Sequence, residues 1–234
     1  MVDLTEREAH HASRVLRLRR GDTVTLLDGQ GTVMEGVIES AVRDKVAVSI
    51  GQRRPVPAPQ CAITLFQAVP KGRLIETIIQ KAVELGVSRI VPLLTERVVS
   101  DLEQKAGAKA EQWRQVAIEA IKQCGAPWLP VVEAPVVLEA LLRRNSSPDI
   151  SLIASLLPGS RHAREWISQY RQEHQREPRS VGVWVGPEGD FTREEVMAIE
   201  RTGARPITLG PLVLRCDTAA LYCLSFLNYE WLCQ

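Results

Sequence analysis

The sequence predicts an α/β protein with a mostly parallel sheet and helices on both faces, preceded by a small β domain. Three observations carry this. From residue 61 onward, short apolar runs alternate with amphipathic helical stretches, the rhythm of parallel strands joined by crossover helices. The residues before that point hold only short runs of β character. Between the two lies "RRPVPAPQ", residues 53–60, where Pro55, Pro57 and Pro59 fix φ and remove ladder donors, as in a stiff linker. The domains expected are therefore 1–59 and 60–234.

In chain order, "TVTLLD", "TVMEGVIES" and "KVAVSI" read as strands, with Gly29 and Gly31 marking a hairpin turn between the first two. After the proline-rich stretch, "CAITLFQAV" reads as a buried strand. In "GRLIETIIQKAVELG", Ile75, Ile78, Ile79, Ala82 and Val83 fall on one helical stripe, and Gly86 suits the C′ position. "VSRIVPLL" is the next strand. In "EQWRQVAIEAIKQCG" the stripe recurs at Trp113, Val116, Ala117, Ala120, Ile121 and Cys124. "LPVVEA", "DISLIA", "VGVWV" and "RPITL" continue as short strands. "RRNSSPD" and "HQREPRS" are polar loops. The final "DTAALYCLSFLNYEWL" reads as an apolar helix capped by Asp217, with Leu221, Leu224, Leu227 and Trp231 on one face.

Composition narrows the function classes. A chain of 234 residues with 45% hydrophobic and 24% charged content suits a soluble globular protein with a sizeable core. The net charge of +1 announces no nucleic-acid partner by its global field, although a local basic patch stays open. There is no secretory h-region and no run long enough to span a membrane, so a cytoplasmic location is expected. Cys61, Cys124, Cys216, Cys223 and Cys233 show no CxxC spacing, which fits reduced thiols. His10, His11, His162 and His174 form no ligand pattern, so no metal is expected.

Three stretches invite a functional reading. "VGPEGDFTREEV" runs from a strand through a glycine turn into a helix. Thr192 and Glu195 form a capping box there, a structural role. Gly186 and Gly189 would let a ligand approach the backbone at the carboxyl end of a parallel strand. Glu188 and Asp190 disfavour phosphate and suit a neutral or cationic ligand such as S-adenosylmethionine. "LGPLVLRCDTAAL" has the same strand–turn–helix form. Leu212 and Val213 read there as a buried plug. Arg215 is placed to meet an anion or to pair with Asp217, and both readings stay open. "HHASRVLRLRRGD" clusters Arg14, Arg17, Arg19 and Arg20, either a solvated face or a track for a phosphate backbone that Lys71 and Arg73 extend.

These residues resemble a known family. "GPEGDFTREE" resembles the GPEGG-f-s-x-x-E motif of the RsmE-type 16S rRNA uridine N3-methyltransferases, and "LGPLVLRCDTAA" their LG-x-x-ILR-x-ETA motif. "KGRLIETIIQKAVELGVSRIVPLLTERVV" and "HHASRVLRLRRGDTVTLLDGQG" resemble two further segments, so four motifs match in order over nearly the whole chain. The resemblance implies an N-terminal PUA-like β-barrel for RNA and a C-terminal SPOUT-type α/β unit with a trefoil knot. It further implies a homodimer acting on ribosomal RNA of the small subunit, with S-adenosylmethionine as cofactor. By the same resemblance Val185, Gly186, Pro187, Gly189, Leu209, Gly210, Val213 and Leu214 line the cofactor pocket, and the loop near Leu156 closes it. Arg215 would stabilise charge on the base, Glu188 or Asp217 would accept a proton, and Arg14, Arg17, Arg19, Lys71 and Arg73 would hold RNA. The chain departs from the family pattern at Asp190, where the motif has glycine, at Asp217, where it has glutamate, and at Leu212 and Ala126, where arginine is usual. A non-catalytic RNA-binding or ribosome-assembly protein with the same fold is the alternative, and an enzyme for a phosphorylated small molecule is a third reading.

Overall fold

The computed structural model describes residues 1–42, 45–96, 105–144, 147–156 and 159–232. Cys233 and the stretch 97–99 of the third quoted segment lie outside them, as do parts of the 144–149 loop and of the loop after Leu156. The chain divides into two compact units. One comprises residues 1–58 with 125–128, the other 59–124 with 129–234.

In the first unit, β1 (Val2–Asp3), β2 (Thr23–Leu27), β3 (Thr32–Val42) and β4 (Lys45–Pro55) form an antiparallel sheet in the order β1-β4-β3-β2. Register shifts at Glu35/Gly36 and Ile38/Ser40 bend the long β3–β4 ribbon. Its inner face packs Ile38, Val46 and Val48 against Ala9 and Ala12. Those alanines come from α1 (Glu6–His10) and the π-helical turn His11–Val15 that continues it. The strand β4 enters the stretch read as linker. Thr32 pairs with Pro55, and a proline is tolerated there because it ends the strand.

Residues 125–128 join this unit, although their sequence position placed them in the second. The Trp128 indole N–H donates to the carbonyls of Val56 and Pro57 at 3.1 and 3.2 Å. Gly31 adopts φ +94° beneath it, and a Cβ there would run into the indole ring.

The second unit is built on a sheet whose pairings are all parallel: β11 (Arg205–Ile207), β9 (Ile150–Ala154), β10 (Ser180–Val185), β5 (Ala62–Ala68) and β6 (Arg89–Leu94), in that spatial order. The short β7 (Val131–Val132) and β8 (Val136–Val137) pair with successive stretches of β6. Burial on both faces explains why these strands read as continuous apolar runs. On one face Phe66 and Trp184 stack at 4.0 Å, and Val196 and Ile199 of α6 (Arg193–Arg201) pack with them. Leu138 and Leu141 of α4 (Leu138–Leu142) complete that cluster.

The remaining helices are α2 (Leu74–Glu84), α3 (Ala106–Cys124), α5 (Ala163–His174) and α7 (Cys216–Trp231). The predicted stripe of α2 is its buried face, residue for residue. In α3 the stripe holds at Trp113, Ala117, Ala120 and Ile121 but stops before Cys124, which is exposed at the helix end. The α7 core is Ala220, Cys223, Leu224, Leu227 and Trp231, with Leu221 only partly covered. Asp217 is not its cap. Arg215 occupies the N-cap position with extended backbone, and Asp217 sits inside the first turn, where an acid favours the helix dipole.

Candidate active site

Loops leaving the carboxyl ends of β9, β10 and β11 enclose a cavity of about 510 Å³. This rim is where open parallel sheets bind ligands. Residues 154–156 with Gly159 and Ser160 supply one wall, residues 185–188 with Asp190 the second, and 208–214 with the start of α7 the third. Hydrogen bonds tie the first wall to β11. Ser155 N–H donates to Ile207 O at 3.1 Å and Arg161 N–H to Pro206 O at 3.2 Å.

The second wall is fixed by its own turn chemistry. Thr192 and Glu195 make the expected capping box of α6. Glu195 is nearly fully buried, and its other oxygen accepts from Glu96 N–H at 2.9 Å, so it also holds the end of β6. Asp190 has φ +60°, the left-handed region that favours glycine and tolerates Asp. Its N–H donates to Pro187 O at 2.9 Å, and its Oδ1 accepts from Phe191 N–H at 2.8 Å. Aspartate is therefore accommodated on a backbone that favours glycine, and it supplies a local acceptor. Gly186 faces that turn, and a Cβ on it would meet Asp190 Oδ1 at 2.7 Å.

The cavity brings together Leu156, Val185, Gly186, Pro187, Glu188, Leu209, Gly210, Val213 and Leu214, all expected from the sequence. Gly189 is not in its wall. Leu212 and Val213 line it but are 72% and 79% exposed, so the buried plug is a misreading. Among the described residues nothing covers these two side chains. Sequence reasoning missed Ser155, Gly159, Ser160 and Thr208. The Gly159-Ser160 pair beyond a parallel strand was the available signal.

Charge is one-sided here. Glu188 and Asp190 lie in the wall, and among the described residues no Lys, Arg or His does. Glu188 Oε1 accepts from Lys71 N–H at 3.0 Å, which joins the loop before α2 to this wall. Burial, reinforced by Glu188 and Asp217, pushes the Cys216 thiol up from its ordinary range. Arg215 is exposed between Leu214 and Cys216, two residues of the wall, and forms no ion pair with Asp217. Asp217 Oδ1 is buried with no hydrogen-bond partner among the described residues. Lys71 and Arg73 are exposed at the entry to α2, and Arg14, Arg17 and Arg19 are exposed in the first unit. No helix among the described residues is long and apolar enough to cross a membrane, and no group of three or more His, Cys, Asp or Glu gathers among them.

Comparison with known proteins shows the family. Residues 57–228 match the RNA methyltransferase domain model, and residues 4–51 match the RNA methyltransferase PUA domain model. The chain belongs to this RNA methyltransferase family. Relatives named ribosomal RNA small subunit methyltransferase E share 31% identity in Synechocystis sp. and 30% in Bacillus subtilis. Both alignments cover 97% of this chain, with 72% and 89% of the relatives.

Solved structures agree. A Legionella pneumophila protein in complex with the bound cofactor SAM superposes with a TM-score of 0.88 at 33% identity, over 98% of this chain and 91% of that one. Ribosomal RNA small subunit methyltransferase E of Neisseria gonorrhoeae, bound to S-adenosyl methionine, gives 0.85 at 27%, over 98% and 92%. The methyltransferase fold expected from the sequence motifs, a SPOUT-type α/β unit with a parallel sheet, preceded in sequence by a PUA-like β domain, is the fold of this chain.

Proposed function

We propose that this chain methylates N3 of a uridine in small-subunit ribosomal RNA, using S-adenosylmethionine, and that it works as a homodimer. The observation that carries the cofactor is the cavity's charge: two carboxylates and, among the described residues, no cationic side chain in a wall at the carboxyl rim of the sheet. Such a wall repels phosphate and attracts a sulfonium or an ammonium. Its volume of about 510 Å³ falls in the range of small-molecule sites. The two solved neighbours with S-adenosylmethionine bound support the same assignment. The cofactor supplies, when bound, a methyl group already activated by its sulfonium.

The chain's own residues do the rest. Gly186 is buried and offers backbone to a ligand without side-chain obstruction, while Pro187, Leu209, Leu214 and Val185 supply apolar wall. Uracil N3 is a weak nucleophile while it holds its proton. Arg215, exposed at the rim, stabilises the imidate charge that forms as the proton leaves. Glu188 lines the cavity and Asp217 does not, so Glu188 is the better placed acceptor for that proton. Asp217, with its unpartnered Oδ1, serves through water. Arg14, Arg17 and Arg19 on the β unit, with Lys71 and Arg73, grip the RNA backbone.

A second copy covers the apolar surface that one chain leaves open. Tyr222 and Tyr229, seven positions apart on α7, are 48% and 79% exposed, and Leu212 and Val213 are more than two-thirds exposed. Arg215→Ala tests the catalytic assignment. Methyl transfer to small-subunit RNA should fall by about 100-fold or more while cofactor affinity holds. Unchanged transfer by folded protein would remove Arg215 from the chemistry.

A further inference from the structure

At the β11 edge of the second unit, two arginines share one indole. The Arg161 guanidinium carbon lies 4.9 Å from the Trp166 ring centroid and that of Arg205 lies 5.2 Å from it. We infer that the Arg161–Trp166–Arg205 cluster is a phosphodiester-binding contact for the RNA strand beside the cavity. This rests on the reading of the chain as an enzyme acting on ribosomal RNA.

The ring and the backbone beneath both arginines are held in place. Trp166 N–H donates to Pro206 O at 3.1 Å, which pins the ring against β11. Arg161 N–H donates to the same carbonyl at 3.2 Å, and Arg161 O accepts from Thr208 N–H at 3.0 Å. Arg205 is the first residue of β11. The two guanidiniums therefore stand on paired backbone segments with a locked aromatic support. Their donors are preorganised, so little side-chain entropy is lost when they bind.

The charge is uncompensated. Among the described residues neither Arg161 nor Arg205 has a carboxylate partner, and Arg164 and Arg201 nearby in sequence are exposed with none either. Other arginines of the same unit are paired: Arg89 and Arg144 with Glu133, Arg171 with Glu177 and Glu230, Arg176 with Asp149. Glu165, the acid in this stretch, spends Oε1 on the N-cap of α5, where it accepts from His162 N–H at 3.3 Å. Two like charges over one ring repel each other, so the arrangement stabilises the fold little and suits an incoming anion.

The chemistry selects phosphate over a base. The guanidiniums lie over the ring, so the π-face is engaged. A guanidinium over a ring keeps its in-plane fork of N–H donors for a ligand, and that fork matches a phosphodiester. Position agrees as well. Ser160 and Thr208 line the cavity, and Arg161 follows the first and hydrogen-bonds the second. A strand that delivers a base to the cavity must run its backbone past this rim.

The test is Arg161→Ala with Arg205→Ala in the full-length protein, measured for binding to small-subunit ribosomal RNA across a salt series. The double variant should bind more weakly by about tenfold or more, and the slope of log affinity against log salt should drop by about 0.7 for each arginine lost. The KM for RNA should rise while kcat and S-adenosylmethionine affinity stay within about twofold. Arg161→Lys with Arg205→Lys, which keeps the charge and the covering of the ring, should fall between and serves if the alanine pair misfolds. Wild-type affinity and slope in the folded double variant overturn the proposal, as does a change of oligomeric state with RNA binding intact, which would make the cluster a subunit contact. If the wild-type protein itself neither binds nor methylates ribosomal RNA, the functional reading fails first, and this inference with it.

Discussion

Gly186→Ala perturbs the cofactor wall at one atom. The added Cβ would stand 2.7 Å from Asp190 Oδ1, 3.0 Å from Phe191 N and 3.1 Å from Asp190 Cα. The first contact is with a side-chain oxygen, but that oxygen is held by Phe191 N–H at 2.8 Å and cannot swing away freely. The other two are backbone atoms. Relief therefore requires the 187–191 turn to open by a few tenths of an ångström, against the Asp190 N–H to Pro187 O bond of 2.9 Å. Overpacking of this kind costs about 1–3 kcal/mol. If the bound state carries that cost, S-adenosylmethionine affinity falls by about five- to 150-fold, measured by isothermal titration calorimetry. Adding Asp190→Gly removes the closest contact and suits the left-handed backbone, so the double variant should recover part of the loss. Wild-type affinity in Gly186→Ala would show that this turn does not shape the cofactor site.

Other consequences are open to measurement. Glu195→Ala removes the carboxylate half of the α6 capping box and leaves Thr192 N–H and Glu96 N–H without their acceptor, so unfolding free energy should fall by about 1–3 kcal/mol in a denaturant titration. The Arg176 guanidinium holds Asp149 down at about 2, below its ordinary value, aided by Arg179 N–H at 2.7 Å. Because the folded-state value is the lower one, the stability is present above about pH 4 and is lost as pH falls towards 2. Asp149→Asn should flatten that acid limb by on the order of 1 kcal/mol after solvent screening. Burial drives the Cys61 and Cys223 thiols up to about 12, so in native protein a thiol reagent should label exposed Cys124 well before either. Cys216 lines the cavity, and S-adenosylmethionine should slow whatever labelling it shows.

Periodicity made the second unit legible. The α2 stripe from Ile75 to Val83 and the buried runs of β5, β9 and β10 carry their burial in the sequence itself. The capping box at Thr192 and the cavity residues of the two glycine turns were readable because their motifs are local. Three features were not local, and local patterns missed them. Residues 125–128 belong to the first unit through contacts of Trp128 with residues about seventy positions away. Leu212 and Val213 look like core residues by composition, yet among the described residues nothing covers them. The strand β4 runs through Arg53 and Arg54 to Pro55, because pairing with β3 outweighs the proline signal at a strand end. Asp190 was unexplained until its positive φ showed why the position favours glycine and how aspartate meets the same demand.

The most direct test of the account is nucleoside mass spectrometry of small-subunit ribosomal RNA incubated with the purified protein and methyl-labelled S-adenosylmethionine. The account predicts a single labelled nucleoside that co-elutes with 3-methyluridine, absent when Arg215→Ala replaces the wild type. Label on another nucleoside would contradict the assigned atom, and no transfer by protein that binds the cofactor and the RNA would contradict the enzyme.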